Sequence, residues 1–133
     1  MRGLTLDRVI VVTDDAQDAA TRFEKLLGLE FGEMIPGGTI DRYAYGHPGI
    51  EVAQPGDEDG EIARLLSECG PGLAGVVFRV ADLSEVTESL SEHDIEPLAE
   101  LDIEHAPETL YHPEDFGGVL TIFTEYRHPV EIR

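Results

Sequence analysis

The chain has 133 residues, enough for one domain with a self-sufficient core and too few for several. Its formal charge is −19, and Lys25 is the only lysine. A field of that sign repels nucleic acid and anionic membranes, which excludes both as partners and favours a neutral or cationic small molecule. An acidic, lysine-poor surface equally suits high salt, so charge alone identifies no ligand. No apolar run approaches the ~20 residues of a membrane span. The amino terminus lacks a signal-peptide pattern, so a cytoplasmic protein is expected. Cys69 is the only cysteine, which excludes an internal disulfide and a multi-cysteine metal site.

Residues 6–13 form a continuous β-branched run and read as a buried strand. Asp14 or Asp15 then caps a helix in which Ala16, Ala19, Ala20, Phe23, Leu26 and Leu27 recur at helical spacing, and Gly28 is placed to end it. Residues 30–34 and 39–45 read as a hairpin around Pro36-Gly37-Gly38, with a further strand over 49–54. A Pro/Gly/acidic linker covers 55–61. Ile62, Leu65, Leu66 and Cys69 then make one face of a short connecting helix, ended by Gly70-Pro71-Gly72.

The plan then repeats. Residues 73–80 read as a strand. Asp82 with Glu85 three positions on resembles a capping box, and Leu83, Val86 and Leu90 supply the buried stripe. Strands are expected near 97–101, 108–112 and 119–126, with Gly117-Gly118 turning the chain into the last. The repetition is visible in the residues: Leu6-Asp7-Arg8-Val9-Ile10-Val11-Val12-Thr13-Asp14-Asp15 reads without a gap onto Leu73-Ala74-Gly75-Val76-Val77-Phe78-Arg79-Val80-Ala81-Asp82. The expected fold is α+β: two tandem βαβββ modules forming a curved mixed sheet around a cleft. One domain covers 1–133, with module 1 at about 4–54, a linker helix within 55–72 and module 2 at about 73–126.

Candidate chemistry is sparse. His47, His93, His105, His112 and His128 show no tight pair of the kind a zinc site uses. His47 and Glu51 are four apart, but Pro48-Gly49 intervenes. His112 ends a strand and could act as an acid/base, its reference pKa lying near neutrality, or could simply stabilise the following loop. Tyr43 and Tyr45 alternate on one strand and, with Tyr111, Phe78 and Phe123, could line an aromatic pocket or make core. No phosphate-binding Gly-rich loop and no Ser/His/Asp arrangement is present.

The duplicated plan, Gly70-Pro71-Gly72-Leu73, Ile50-Glu51-Val52 and above all His112-Pro113-Glu114-Asp115-Phe116-Gly117-Gly118-Val119-Leu120 resemble the vicinal oxygen chelate superfamily. That superfamily includes glyoxalase I, bleomycin-resistance proteins, extradiol dioxygenases and methylmalonyl-CoA epimerase, whose loop and last strand the final motif is similar to. The resemblance covers residues 6–126 and implies a single divalent metal held by a His early in each module and a carboxylate or amide late in each. Those positions fall on Arg8, Glu51, Gly75 and Ile122, so one ligand of four survives and neither a metal nor another cofactor is expected.

Arg8 then either pairs with Glu51, receives a ligand carboxylate, or points into solvent. The resemblance implies a small-molecule-binding homodimer of the bleomycin-resistance kind, sequestering or carrying its ligand, with Arg8, Glu51, Tyr43, Tyr45, Gly75, Tyr111 and Ile122 as binding positions. The alternative is an isomerase or lyase in which Glu51 and His112 move protons while Arg8 stabilises an enolate.

Overall fold

The computed structural model describes residues 3–33, 35–37, 40–47, 49–56, 60–103 and 106–126, with side chains over 3–33, 49–56, 60–101 and 106–126. The described elements, in chain order, are β1 (Thr5–Val12), α1 (Ala16–Leu27), β2 (Glu30–Phe31), β3 (Ile35–Gly37), β4 (Ile40–His47), β5 (Ile50–Pro55), α2 (Glu61–Cys69), β6 (Gly72–Arg79), α3 (Leu83–Ser91), β7 (Ala99–Ile103), β8 (Ala106–Tyr111), a 3-10 turn (Pro113–Phe116) and β9 (Leu120–Thr124). This is an α+β chain in which a strand, a helix and a group of strands occur twice. The chain divides into two compact units, Arg8–Ala74 and Gly75 onward together with the segment up to Asp7.

In the first module the strand order is β2-β4-β5-β1, with β3 paired to β4. β1 and β5 run parallel, Val9 opposite Ile50 and Val12 opposite Ala53. The other pairs are antiparallel. Helix α1 begins where the Asp15 carboxylate accepts the Asp18 N–H at 3.0 Å, satisfying one of the helix's orphan donors. It ends at Gly28, whose φ of 74° is the left-handed conformation that suits glycine. Ala16 and Ala20 bury against Val52, with Val11, Ala19, Phe23, Phe31 and Ile50 around them.

One expectation needs correcting here. Leu26 and Leu27 do not join the buried stripe; they are 76% and 67% exposed. The cluster that covers the helix stops at Phe23, whose ring lies 6.1 Å from that of Phe31. The expected first arm of the hairpin is also shorter. β2 stops at Phe31 and pairs with the far end of β4, while β3 makes the tight hairpin with the near end.

In the second module the order is β6-β9-β8-β7. β6 and β9 are parallel and the remaining pairs antiparallel. β9 lies between two neighbours, and all five of its residues, Thr121 and Thr124 included, are buried. Helix α3 opens at Asp82, whose carboxylate accepts the N–H groups of Ser84 and Glu85. The Leu83 N–H, one residue earlier, donates to the Glu125 carboxylate at 2.7 Å, tying the helix start to the end of β9. Val86 on α3, with Leu83 and Leu90, packs on Val80, Tyr111 and Phe123. Beyond β8, Gly117 at φ 71° closes the 3-10 turn, and Gly118 N–H donates to Pro113 carbonyl at 2.7 Å. Among the described residues, no helix is long and apolar enough to cross a membrane.

Candidate functional site

Two charged side chains lie in the interior of the first module. Arg8 on β1 is 6% exposed and Glu51 on β5 is 4% exposed. The parallel register puts Ile10 opposite Glu51. Arg8, two residues earlier on β1, therefore shares a sheet face with Glu51, the face opposite Val11, Ile50 and Val52, which pack on α1. The long guanidinium spans the diagonal, and its Nε donates to Glu51 Oε1 at 2.6 Å. This selects pairing among the three arrangements the sequence allowed for Arg8 and excludes a solvent-facing side chain. The β4 register sets Tyr45 opposite Glu51 and Tyr43 opposite Ala53. Their side chains, and that of His47, lie outside the described residues.

A buried ion pair of this kind adds little net stability, because desolvation of both charges offsets their attraction. Its effect is local. The carboxylate is bound by a permanent cation that carries five N–H donors and no lone pair.

The remaining candidate residues lie in the second module. Gly75 stands opposite Leu120, and Val77 opposite Ile122. Gly75 and Ile122 therefore share a sheet face with Leu110, which is also opposite Ile122. Leu120 and Ile122 are buried, so that face is largely hydrocarbon at these positions. Tyr111 points the other way. Its ring lies 5.7 Å from Phe123 and 6.0 Å from Phe116, in the core beneath α3. Of the two alternatives for these aromatics, pocket wall or core, Tyr111, Phe78 and Phe123 take the core one: the three pack with Val80 and Val86.

Burial pushes the Tyr111 hydroxyl above its ordinary value, against the neighbouring Thr87 and Thr109 hydroxyls, which act to lower it. His112 follows β8 at the entrance to the 3-10 turn. It is partly exposed, its Nδ1 3.6 Å from the carboxylate of the exposed Glu114. Asp115 N–H donates to the His112 carbonyl, so this residue's backbone takes part in the loop. His93 is an exposed residue just past α3. His105 and His128 lie outside the described residues.

A second feature was not singled out in the sequence. A groove of about 630 Å3 runs beside α3 in the second module, lined by Ser84, Thr87 and Glu88 of the helix and by residues of β7, β8 and the end of β9. Glu100, Glu108 and Glu125 join Glu88 along it. The one local sequence signal is the spacing of Ser84, Thr87 and Glu88, which puts polar groups on one flank of the helix beside its apolar stripe.

These observations define a duplicated βαβββ protein with a buried arginine–glutamate pair on the sheet face of its first module that lies away from α1. The sequence matches the model of the Glyoxalase/Bleomycin resistance protein/Dioxygenase superfamily over residues 5–123. The chain belongs to that superfamily. Among solved structures it is similar to methylmalonyl-CoA epimerase from Mycobacterium tuberculosis, with 27% identity, a TM-score of 0.81, and coverage of 93% of this chain and 88% of that one. A hypothetical protein from Bacillus halodurans C-125 superposes with a TM-score of 0.83 at 21% identity, covering 98% of this chain and 99% of that one. A variant of Streptomyces coelicolor methylmalonyl-CoA epimerase in complex with 2-nitronate-propionyl-CoA has a TM-score of 0.83 at 19% identity, covering 95% and 100%. Comparison with curated proteins gave no match.

The superfamily resemblance implies a divalent metal, and the four aligned positions do not fit one. Arg8 offers charge of the wrong sign, Gly75 has no side chain, and Ile122 is hydrocarbon. Among the described residues, no group of three or more His, Cys, Asp or Glu is placed to hold a metal ion.

Proposed function

We propose that this chain is a metal-independent small-molecule-binding member of its superfamily, taking a neutral or cationic ligand on the face of the first module that carries Arg8 and Glu51. The observation that carries this reading is the Arg8 guanidinium buried against Glu51 at 2.6 Å. A divalent cation at Glu51 would have to displace a fixed positive charge and then rely on a single carboxylate, where such ions take at least three protein ligands. The overall charge of −19 works against a ligand rich in phosphate.

A second reading is favoured by the likeness to the Mycobacterium tuberculosis epimerase. In it the chain is an isomerase or lyase, Glu51 takes a proton from carbon next to a carbonyl, and Arg8 stabilises the enolate oxygen by charge-assisted hydrogen bonds. His112 would then serve as a second acid/base.

Elemental analysis of the purified chain, followed by a thermal-shift screen with cationic antibiotics and short-chain acyl-CoA esters, separates these readings. Binding without metal raises the melting temperature for neutral or cationic compounds and gives no stoichiometric nickel, cobalt, zinc or iron. A full equivalent of any of these metals overturns the proposal. Solvent deuterium entering the acyl carbon of methylmalonyl-CoA, and lost in Glu51→Gln, establishes the second reading instead.

A further inference from the structure

We propose that Tyr126 is a positioning residue for the Arg8–Glu51 site, acting on Arg8 through Asp7. This deepens the reading of that site as the ligand-binding one, and its functional meaning rests on that reading. The boundary between the two compact units of the chain falls inside β1, between two neighbours: Asp7 belongs with the second unit and Arg8 with the first. Each is held by a side chain of its own unit. Arg8 Nε donates to Glu51 Oε1 at 2.6 Å, and the Tyr126 hydroxyl, just past β9, donates to Asp7 Oδ2 at 2.9 Å.

Consecutive side chains of a strand leave it on opposite faces, so fixing one sets the roll of the strand for the next. The burial along β1 shows why this grip counts at Arg8. Toward the carboxyl end, Ile10 and Val12 on the same face are each 1% exposed. Toward the amino end, Leu6 on that face is 59% exposed and Leu4 is 44% exposed, so apolar packing gives the start of the strand little hold. The Tyr126–Asp7 bond stands where that packing stops.

Tyr126 is itself held. The Arg79 guanidinium lies 4.7 Å from the centre of its ring, a cation–π contact that fixes the direction of the phenol. Rolling β1 far enough to draw Arg8 away from Glu51 therefore breaks the Tyr126 bond as well.

The test follows the Arg8 Nε–H by proton–nitrogen NMR in the intact chain, with no ligand added. A side-chain N–H buried against a carboxylate exchanges with water only when the pair opens, so its rate reports that opening. Tyr126→Phe keeps the ring over Arg79 and removes only the hydroxyl. Exchange of the Arg8 Nε–H should become about tenfold faster, as the loss of one hydrogen bond allows. Asp7→Ala should accelerate it equally, and adding Tyr126→Phe to Asp7→Ala should change nothing more. Asp82→Ala, which weakens the start of α3 instead, should leave the rate unaltered. An unaltered rate in Tyr126→Phe overturns the proposal, because β1 then keeps its roll unaided. Equal acceleration in Asp82→Ala overturns it too, since the pair would open only with the whole fold, and additive effects of the two β1-grip variants show that Tyr126 does not act through Asp7. The ligand reading fails separately: an Nε–H that responds as expected, in a chain that no compound stabilises, removes that reading alone.

Discussion

Arg8 and Glu51 are both buried, and each offsets part of the other's desolvation. Removing one leaves an uncompensated buried charge, which typically costs 3–5 kcal/mol, whereas replacing both by hydrocarbon of similar volume is often neutral. Urea denaturation should therefore find Arg8→Ala destabilised by about 3 kcal/mol or more and Arg8→Met/Glu51→Leu much closer to the natural chain. Equal stabilities for the single variant and the natural chain would mean that water reaches the pair. Tyr111 gives a second residue-scale expectation. Its hydroxyl is buried and shifted upward from 10.0, chiefly by desolvation. The fold favours the neutral form, so this contribution is complete below pH 10 and is lost as pH rises through the higher folded value. In Tyr111→Phe the alkaline loss of stability should be smaller, and stability at neutral pH unchanged or raised by up to about 1 kcal/mol. The superfamily resemblance is what singled out Arg8 and Glu51 in the sequence. The direction of Tyr111 was not legible, because a period of two says that positions 109 and 111 share a face but not which face the helix covers.

The helices were the most readable elements, since their boundaries depend on neighbours in sequence. Asp15, Asp82 and Gly28 are local signals, and each does what its residue type suggests. Asp82→Ala removes an acceptor for two N–H groups and should cost about 1 kcal/mol in thermal unfolding. Gly117→Ala, at φ 71°, should cost about 1–2 kcal/mol, since a Cβ is disfavoured in that conformation even though open space surrounds it. A Gly117→Ala variant as stable as the natural chain would show that the 3-10 turn adjusts. Strand ends were less legible: β7 begins and ends two residues beyond its expected limits, and β8 begins two residues early. Pairing with distant partners fixes such ends, and periodicity does not report it. The exposure of Leu26 and Leu27 has the same origin, for helical spacing identifies a stripe without saying how far the opposing surface extends.

For the whole chain, 28 carboxylates against nine basic groups make self-repulsion the dominant long-range term. Sodium chloride screens it over roughly a Debye length, about 10 Å at 0.1 M. The melting temperature should rise steadily from low salt to molar salt, and a flat profile would mean that the charges are already spaced beyond mutual influence. The tandem plan was readable at this scale because an apolar strand-like run ending at an aspartate recurs, at residues 6–15 and again at 73–82. The groove was not, because its walls come from α3, β7, β8 and the end of β9, four segments that only folding brings together. The ion pair likewise joins residues 43 positions apart. Neither charge can shed its water until β1 has met β5, so dehydration falls late, near the summit of the kinetic barrier. In stopped-flow refolding, Arg8→Met/Glu51→Leu should outrun the natural chain, the hydrated charges acting as a brake that hydrocarbon lacks.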